Sequence, residues 1–221
     1  MELIVKILLI QQVTHDVRRF RVEKPVGYTF KPGQATEVSI NKPAWRQEKR
    51  PFTFTSLQGD PFLEFTIKRY PDHHGVTDQL HQLGAGDELV LRDVWGAIEY
   101  KGPGIFIAGG AGITPFLAIL RQLSVEGKLD GNTLFFSNKT PADTIDQKEL
   151  KTMLGDRVEF IFTGGSGEGY TKGYIDEAFL KQRVKDFGTH FYICGPDPMI
   201  AGLSAILKGL GASPDAVVFE K

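Results

Sequence analysis

Cysteine is nearly missing from this chain: Cys194 is the only one in 221 residues. One thiol closes no internal disulfide, cannot supply the four thiolates of an iron-sulfur cluster, and builds no Cys-rich zinc site. A reducing, cytoplasmic setting is the expectation that follows. Long apolar runs are lacking too. The opening segment MELIVKILLIQQV has an apolar stretch near signal-peptide length, but it carries Glu2 and Lys6 and no small-residue cleavage site. Nothing later is long enough to span a bilayer, and a buried first strand accounts for the segment better. An excess of one charge is absent: 26 Lys and Arg face 27 Asp and Glu, for a formal net charge of -1. No global field therefore draws the chain to nucleic acid or an anionic membrane, and a charged partner has to be met by a local patch. Metal-ligand spacing is missing as well. His73 and His74 are adjacent, without i,i+4 spacing or a nearby carboxylate motif, and read as a solvated loop, so no metal is expected.

What is present divides in two. The length allows one large domain or two small ones, and a 41% hydrophobic content can bury a core, which excludes disordered and fibrous classes. From Met1 to about Tyr100 the chain alternates in short runs, such as Phe62 to Lys68 and Glu88 to Leu91, between Pro, Gly and Asp turns. That rhythm predicts an antiparallel β-barrel domain over residues 1–100. One helix interrupts it near Thr77, with apolar positions at Leu80 and Leu83. From Gly104 onward the rhythm becomes apolar strand, Gly-rich turn, helix. Strands are expected at Ile105 to Ala108, Thr133 to Phe136, Arg157 to Phe162 and Phe191 to Cys194, each apolar enough for burial on both faces of a parallel sheet. A doubly wound α/β, Rossmann-like domain is predicted over residues 101–221, joined through Tyr100 to Gly104, which has the composition of a short linker.

Four segments carry candidate chemistry. Gly109 to Pro115, GGAGITP, follows a strand and opens a helix, the setting in which Gly110 and Gly112 let backbone approach a pyrophosphate while Ile113 and Thr114 begin the helix. Taken alone, the alternative is a merely tight structural turn. Cys194 to Met199, CGPDPM, closes a later strand, and ligands of open α/β sheets bind outside such strand ends. Cys194 on residue type alone reads as a buried structural thiol. In the β half, Arg50-Pro51-Phe52-Thr53 sets a cation, a ring and a hydroxyl along one extended segment, able to clamp a phosphate, lie against a ring system and bond a heterocycle nitrogen. The alternative is ordinary edge strand. Gly75-Val76-Thr77 opens the lone helix, where free N–H groups favour an anion, or where Gly75 only makes the turn.

The order RPFT, GVT, GGAGITP, CGPDPM and a carboxyl-terminal glutamate resembles the ferredoxin-NADP reductase superfamily, especially its short bacterial flavodoxin and ferredoxin reductase branch, across nearly the whole chain. The resemblance implies an FAD lying against Phe52, with Arg50 on its pyrophosphate, Thr53 near flavin N5, and Gly75, Val76 and Thr77 supporting the diphosphate. It implies a nicotinamide dinucleotide on Gly110, Gly112, Ile113 and Thr114, with Cys194 and Gly195 near the nicotinamide and Pro196 and Met199 completing that loop. Glu220 would match the family's carboxylate near the flavin edge, so that Thr53, Cys194 and Glu220 are the catalytic candidates.

Three departures qualify the match. The family's RxYS is here RPFT, which keeps the ring and the hydroxyl but loses a phenol. The sequence stops at Lys221, where many relatives end in an aromatic residue that covers the flavin. Ser137-Asn138-Lys139 offers no carboxylate for a ribose 2'-hydroxyl but a hydroxyl and a cation for a 2'-phosphate, a lean toward NADPH over NADH; Lys139 also reads as a solvated surface residue. The implied activity is hydride transfer from NAD(P)H to FAD and single-electron transfer onward to a separate carrier, flavodoxin or ferredoxin. A reductase component of an oxygenase, a free-flavin or diaphorase activity, and a flavin- or nucleotide-binding module without turnover are the alternatives.

Overall fold

The computed structural model describes residues 2–96, 98–164, 170–213 and 217–219. The chain forms two compact units, Met1–Ala97 and Ile98–Lys221.

The first unit holds strands β1 (Leu3–Thr14), β2 (Val17–Glu23), β3 (Gln34–Ile40), β4 (Arg50–Thr53) and β5 (Phe62–Lys68), helix α1 (Val76–Leu80), and strand β6 (Glu88–Gly96). All its strand pairs are antiparallel, in the order β4-β3-β6-β1-β2-β5. The row curls back on itself: Thr55, just past β4, donates its backbone N–H to the Glu64 carbonyl of β5 at 2.8 Å. This gives the expected barrel. Its interior is aromatic, with Phe54 stacked on Phe30 at 4.2 Å and tilted against Phe65 at 5.2 Å. Burying each such ring contributes roughly 2–3 kcal/mol. β1 buries Val5 and Ile7 on one face only, while Ile4 and Leu8 remain about half exposed, as strand alternation dictates. The lone helix is short and stops at Leu80, so Leu83 lies in the turn beyond it, its N–H bonded to the Leu80 carbonyl.

The second unit comprises β7 (Gly104–Gly109), α2 (Thr114–Val125), β8 (Thr133–Asn138), α3 (Gln147–Leu154), β9 (Val158–Phe162), β10 (Thr171–Lys172), α4 (Glu177–Arg183), β11 (His190–Cys194), α5 (Asp197–Gly209) and β12 (Val217–Phe219). Every pairing is parallel, in the order β10-β9-β8-β7-β11-β12. Both faces are covered. Ile107, Phe135, Ile161, Phe191 and Ile193 pack with Phe179 of α4 and Leu203 and Leu207 of α5. On the other side Phe106 meets Phe116 of α2 edge-on at 5.1 Å and stacks with Tyr192 at 4.5 Å. Such two-sided burial is why these strands read as near-continuous apolar runs. Asp176 caps α4, accepting the Phe179 N–H at 2.8 Å.

The Tyr100–Gly104 join is held firmly to the second unit. Tyr192 Oη donates to the Gly102 carbonyl at 2.7 Å and accepts from the Lys101 N–H at 2.9 Å. Buried Asn132 receives the Gly104 N–H and pairs with Tyr100 Oη, both at 3.2 Å.

Candidate functional site

Outward from β7 the chain lays down β8 and β9, then returns to place β11 on β7's other side. The strand order reverses between β7 and β11, and ligands of open α/β sheets bind at the carboxyl ends of strands at such a reversal. The glycine-bearing turn Gly109–Thr114 and the loop Cys194–Met199 stand at those two ends, side by side, with Cys194 paired to Ala108.

The glycines there serve different purposes. A Cβ on Gly112 would lie 2.3 Å from the Cys194 carbonyl oxygen and 2.6 Å from the Gly195 nitrogen. The two loops therefore touch backbone to backbone, and no larger residue fits between them. Gly110 has φ +54° and nothing within 4 Å of its would-be Cβ, so a left-handed turn residue faces open space where a phosphate can approach the backbone. Ile113 is fully buried, which leaves only its backbone for a ligand. Thr114, half-buried, begins α2, with Pro115 in its first turn. Cys194 is buried, 3% exposed, and in no disulfide. Gly195 is partly open and Pro196 exposed, while the Met199 sulfur fills the space beside Gly109 and Gly195, so that Met199 supports this loop by packing.

Ser137, at the end of β8, pairs with Gly109 and is half-buried; Lys139 is exposed. Asn138 between them is 6% exposed, and its side-chain amide has no hydrogen-bond partner among the described residues. An orphaned buried amide costs about 1–3 kcal/mol and marks a strand end not built for packing alone. In the sequence, the signal for Asn138 is a polar residue ending an apolar parallel strand.

In the first unit, β4 carries the predicted aromatic segment. Arg50 is exposed, donates to the Lys49 carbonyl at 2.7 Å, and has no carboxylate partner among the described residues. A cation so placed is available to a phosphate. Phe52 is half-buried with one side against the barrel core; Pro51 is exposed opposite Glu37, and Thr53, 6% exposed, lies opposite Ala35. Gly75 starts α1 in extended conformation, and a Cβ there would meet only the His73 carbonyl at 3.8 Å. Val76 is buried and Thr77 half-buried. Arg69 bonds Asp78 at 2.7 Å beside this turn. His73 and His74 are exposed in the preceding turn. At the far end of α1 the His81 ring is buried with Nε2 2.9 Å from the Ile67 carbonyl, and burial holds its pKa below the ordinary value. Burial likewise raises the Tyr192 hydroxyl. Glu220 lies outside the described residues.

Comparison with known proteins follows the same division. An FAD-binding domain family matches residues 2–90, and an oxidoreductase NAD-binding domain family matches residues 106–205. A ferredoxin–NAD(P)(+) reductase component of the naphthalene 1,2-dioxygenase system of Pseudomonas putida is 26% identical over 220 residues, covering 96% of this chain and 66% of the relative. The chain spans 58–66% of the length of the curated relatives it matches. Among solved structures, the FAD/NAD-binding domain of a nitric oxide dioxygenase from Vibrio cholerae superimposes with TM-score 0.86 at 20% identity, covering 98% of this chain and 97% of that one. A ferredoxin NADP+ reductase from Neisseria gonorrhoeae, with FAD and NADP bound, gives 0.80 at 21% identity, covering 95% and 92%. No helix among the described residues is long and apolar enough to cross a membrane.

Proposed function

We propose that this chain, whose two units match an FAD-binding domain family and an oxidoreductase NAD-binding domain family, is a member of the ferredoxin-NADP reductase superfamily that takes hydride from NAD(P)H through a bound FAD and delivers electrons to a separate protein carrier. The observation that carries this reading is the junction at the strand-order reversal, where the Gly109–Thr114 turn packs against the Cys194–Gly195 backbone and leaves Gly110 open.

The residues present fit both dinucleotides. Toward FAD, the exposed guanidinium of Arg50, which has no carboxylate partner among the described residues, would hold the diphosphate, with the backbone of Gly75, Val76 and Thr77 beside it. The half-buried Phe52 ring, next to Pro51, would lie along the flavin, and the Thr53 hydroxyl would bond its N5. Bound FAD supplies the chemistry the side chains lack, accepting two electrons as hydride and releasing them one at a time. Toward the nicotinamide dinucleotide, Gly110, Gly112, Ile113 and Thr114 would present backbone N–H groups to the pyrophosphate at the head of α2. Cys194, Gly195 and Pro196 would flank the nicotinamide, with Met199 supporting them. Cys194, buried at the strand end, would shape the site and exclude water there. Glu220 would serve as the carboxylate near the flavin edge. Ser137 and Lys139 supply a hydroxyl and a cation suited to a 2'-phosphate, which favours NADPH over NADH. The presence of a single cysteine fits a cytoplasmic location.

The carrier is flavodoxin or ferredoxin on this reading, because one cysteine cannot hold an iron-sulfur cluster within these residues. A second reading, the reductase component of an oxygenase, is favoured by the Pseudomonas putida relative, which serves a dioxygenase system. Steady-state reduction of purified flavodoxin, ferredoxin and free FAD, each with NADPH and with NADH, tests both. Fast reduction of a carrier protein with slow reduction of free flavin supports the proposal. Fast reduction of free flavin with no reduction of any carrier overturns it.

A further inference from the structure

Glu64 is a buried acid to which the proposed chemistry assigns no part. It sits in the middle of β5, 2% exposed, directly opposite Arg21 of β2, with Arg19 opposite the next-but-one residue, Thr66. Phe20 and Phe65, the pair between, are fully buried in the core. Strand alternation therefore puts Arg19, Arg21, Glu64 and Thr66 together on the barrel's outer face.

Glu64 engages the chain just past β4 through each of its polar groups. Its carbonyl accepts the Thr55 N–H at 2.8 Å, and its N–H donates to Ser56 Oγ at 3.0 Å. Its Oε1 accepts the Thr55 hydroxyl at 3.0 Å, and that hydroxyl lies 3.3 Å from Thr66 Oγ1. Arg21 Nε reaches Oε2 at 2.9 Å, and Arg19 Nε lies 3.3 Å from Oε1. A carboxylate this buried is tolerated only when paired and hydrogen-bonded. Beside two guanidinium groups, a carboxylate oxygen accepts a hydroxyl about twice as strongly as a neutral group would. Thr53 lies two residues before Thr55. On its other side β4 pairs with β3, Thr53 facing Ala35, and the latch at Thr55 and Ser56 ties the following residues to β5.

We propose that Glu64 is a positioning residue: acting through Thr55 and Ser56, it fixes the Thr53 hydroxyl against the flavin ring. This rests on the FAD site proposed above. The test compares the full chain with Thr55→Val, Thr55→Ser, Glu64→Gln and, as reference, Thr53→Ala. Three readouts apply: the visible band of bound flavin, the FAD dissociation constant by fluorescence titration, and hydrogen exchange of the 53–56 amides without FAD. Thr55→Val is expected to move the visible band as Thr53→Ala does, to weaken FAD by about tenfold, and to speed exchange across 53–56. Thr55→Ser restores wild-type behaviour to within about twofold. Glu64→Gln should match Thr55→Val; if it fails to fold, the two Thr55 variants decide alone. An unmoved band and FAD affinity within about twofold in Thr55→Val, whatever its thermal stability, overturn the proposal while leaving the FAD site standing. Wild-type protein that binds no FAD overturns the functional reading and this proposal with it.

Discussion

Replacing Gly112 by alanine probes the junction of the two nucleotide loops directly. The new Cβ would stand 2.3 Å from the Cys194 carbonyl oxygen, 2.4 Å from its carbon and 2.6 Å from the Gly195 nitrogen. All three are backbone atoms, and β11 is fixed against β7 from His190 to Cys194, so no side-chain rotation relieves the clash. Overpacking of this kind costs about 3 kcal/mol at the upper end of its usual range. Alanine returns about 0.4–1 kcal/mol by restricting the unfolded chain. The net loss is about 2 kcal/mol, or about 8 °C in the midpoint of a unit the size of Ile98–Lys221. Gly110→Ala is the control. Its Cβ meets nothing, so the cost is the left-handed conformation alone, about 1 kcal/mol, and about half the shift. Both changes should weaken NAD(P)H binding by at least tenfold, because one separates the loops and the other puts a methyl group on the open approach to the backbone. Scanning calorimetry measures stability and titration calorimetry measures affinity; tryptophan fluorescence does not serve, because Trp45 and Trp95 both belong to the first unit. Gly112→Ala unfolding within about 2 °C of wild type would refute the reasoning.

Further outcomes follow from single groups. Arg50→Ala should weaken FAD about 10- to 100-fold, the worth of a charge-assisted phosphate bond, with unchanged thermal stability, as read by fluorescence titration and calorimetry. Asp176→Ala removes the N-cap bond to Phe179 and should cost about 1 kcal/mol in urea unfolding without altering nucleotide affinity. His81 has a folded pKa below its ordinary value because its ring is buried; the fold therefore favours the neutral ring. Its stability contribution is complete above about pH 6.5, the ordinary value, and is lost as pH falls toward the folded pKa. Urea midpoints measured between pH 7.5 and 5 should fall more steeply for wild type than for His81→Gln; parallel curves would contradict this.

How far the sequence reveals this molecule depends on whether the cause of a feature is local. The strand-turn-helix of GGAGITP was legible because an apolar run, glycines and Pro115 are contiguous. Which glycine does what was not, since the atom that forbids a side chain at Gly112 belongs to Cys194, on a strand far along the chain. Tyr100–Gly104 has a linker's composition, and only the partners Asn132 and Tyr192 show that it is pinned to the second unit. β10 and β12, of two and three residues, are too short to carry a period. Glu64 interrupts FLEFTIK where an acid reads as solvent-facing; its burial depends on strand register, which sets Arg21 opposite it. The apolar start of the chain did signal a strand, but the exposed Ile4 and Leu8 show that a largely apolar run need not be buried on both faces.

Anaerobic mixing of the FAD-loaded protein with NADPH, and separately with NADH, tests the central claim most directly. The account predicts bleaching of the flavin absorbance on the timescale of turnover, faster with NADPH. Flavin absorbance that stays unchanged with both nucleotides would contradict it.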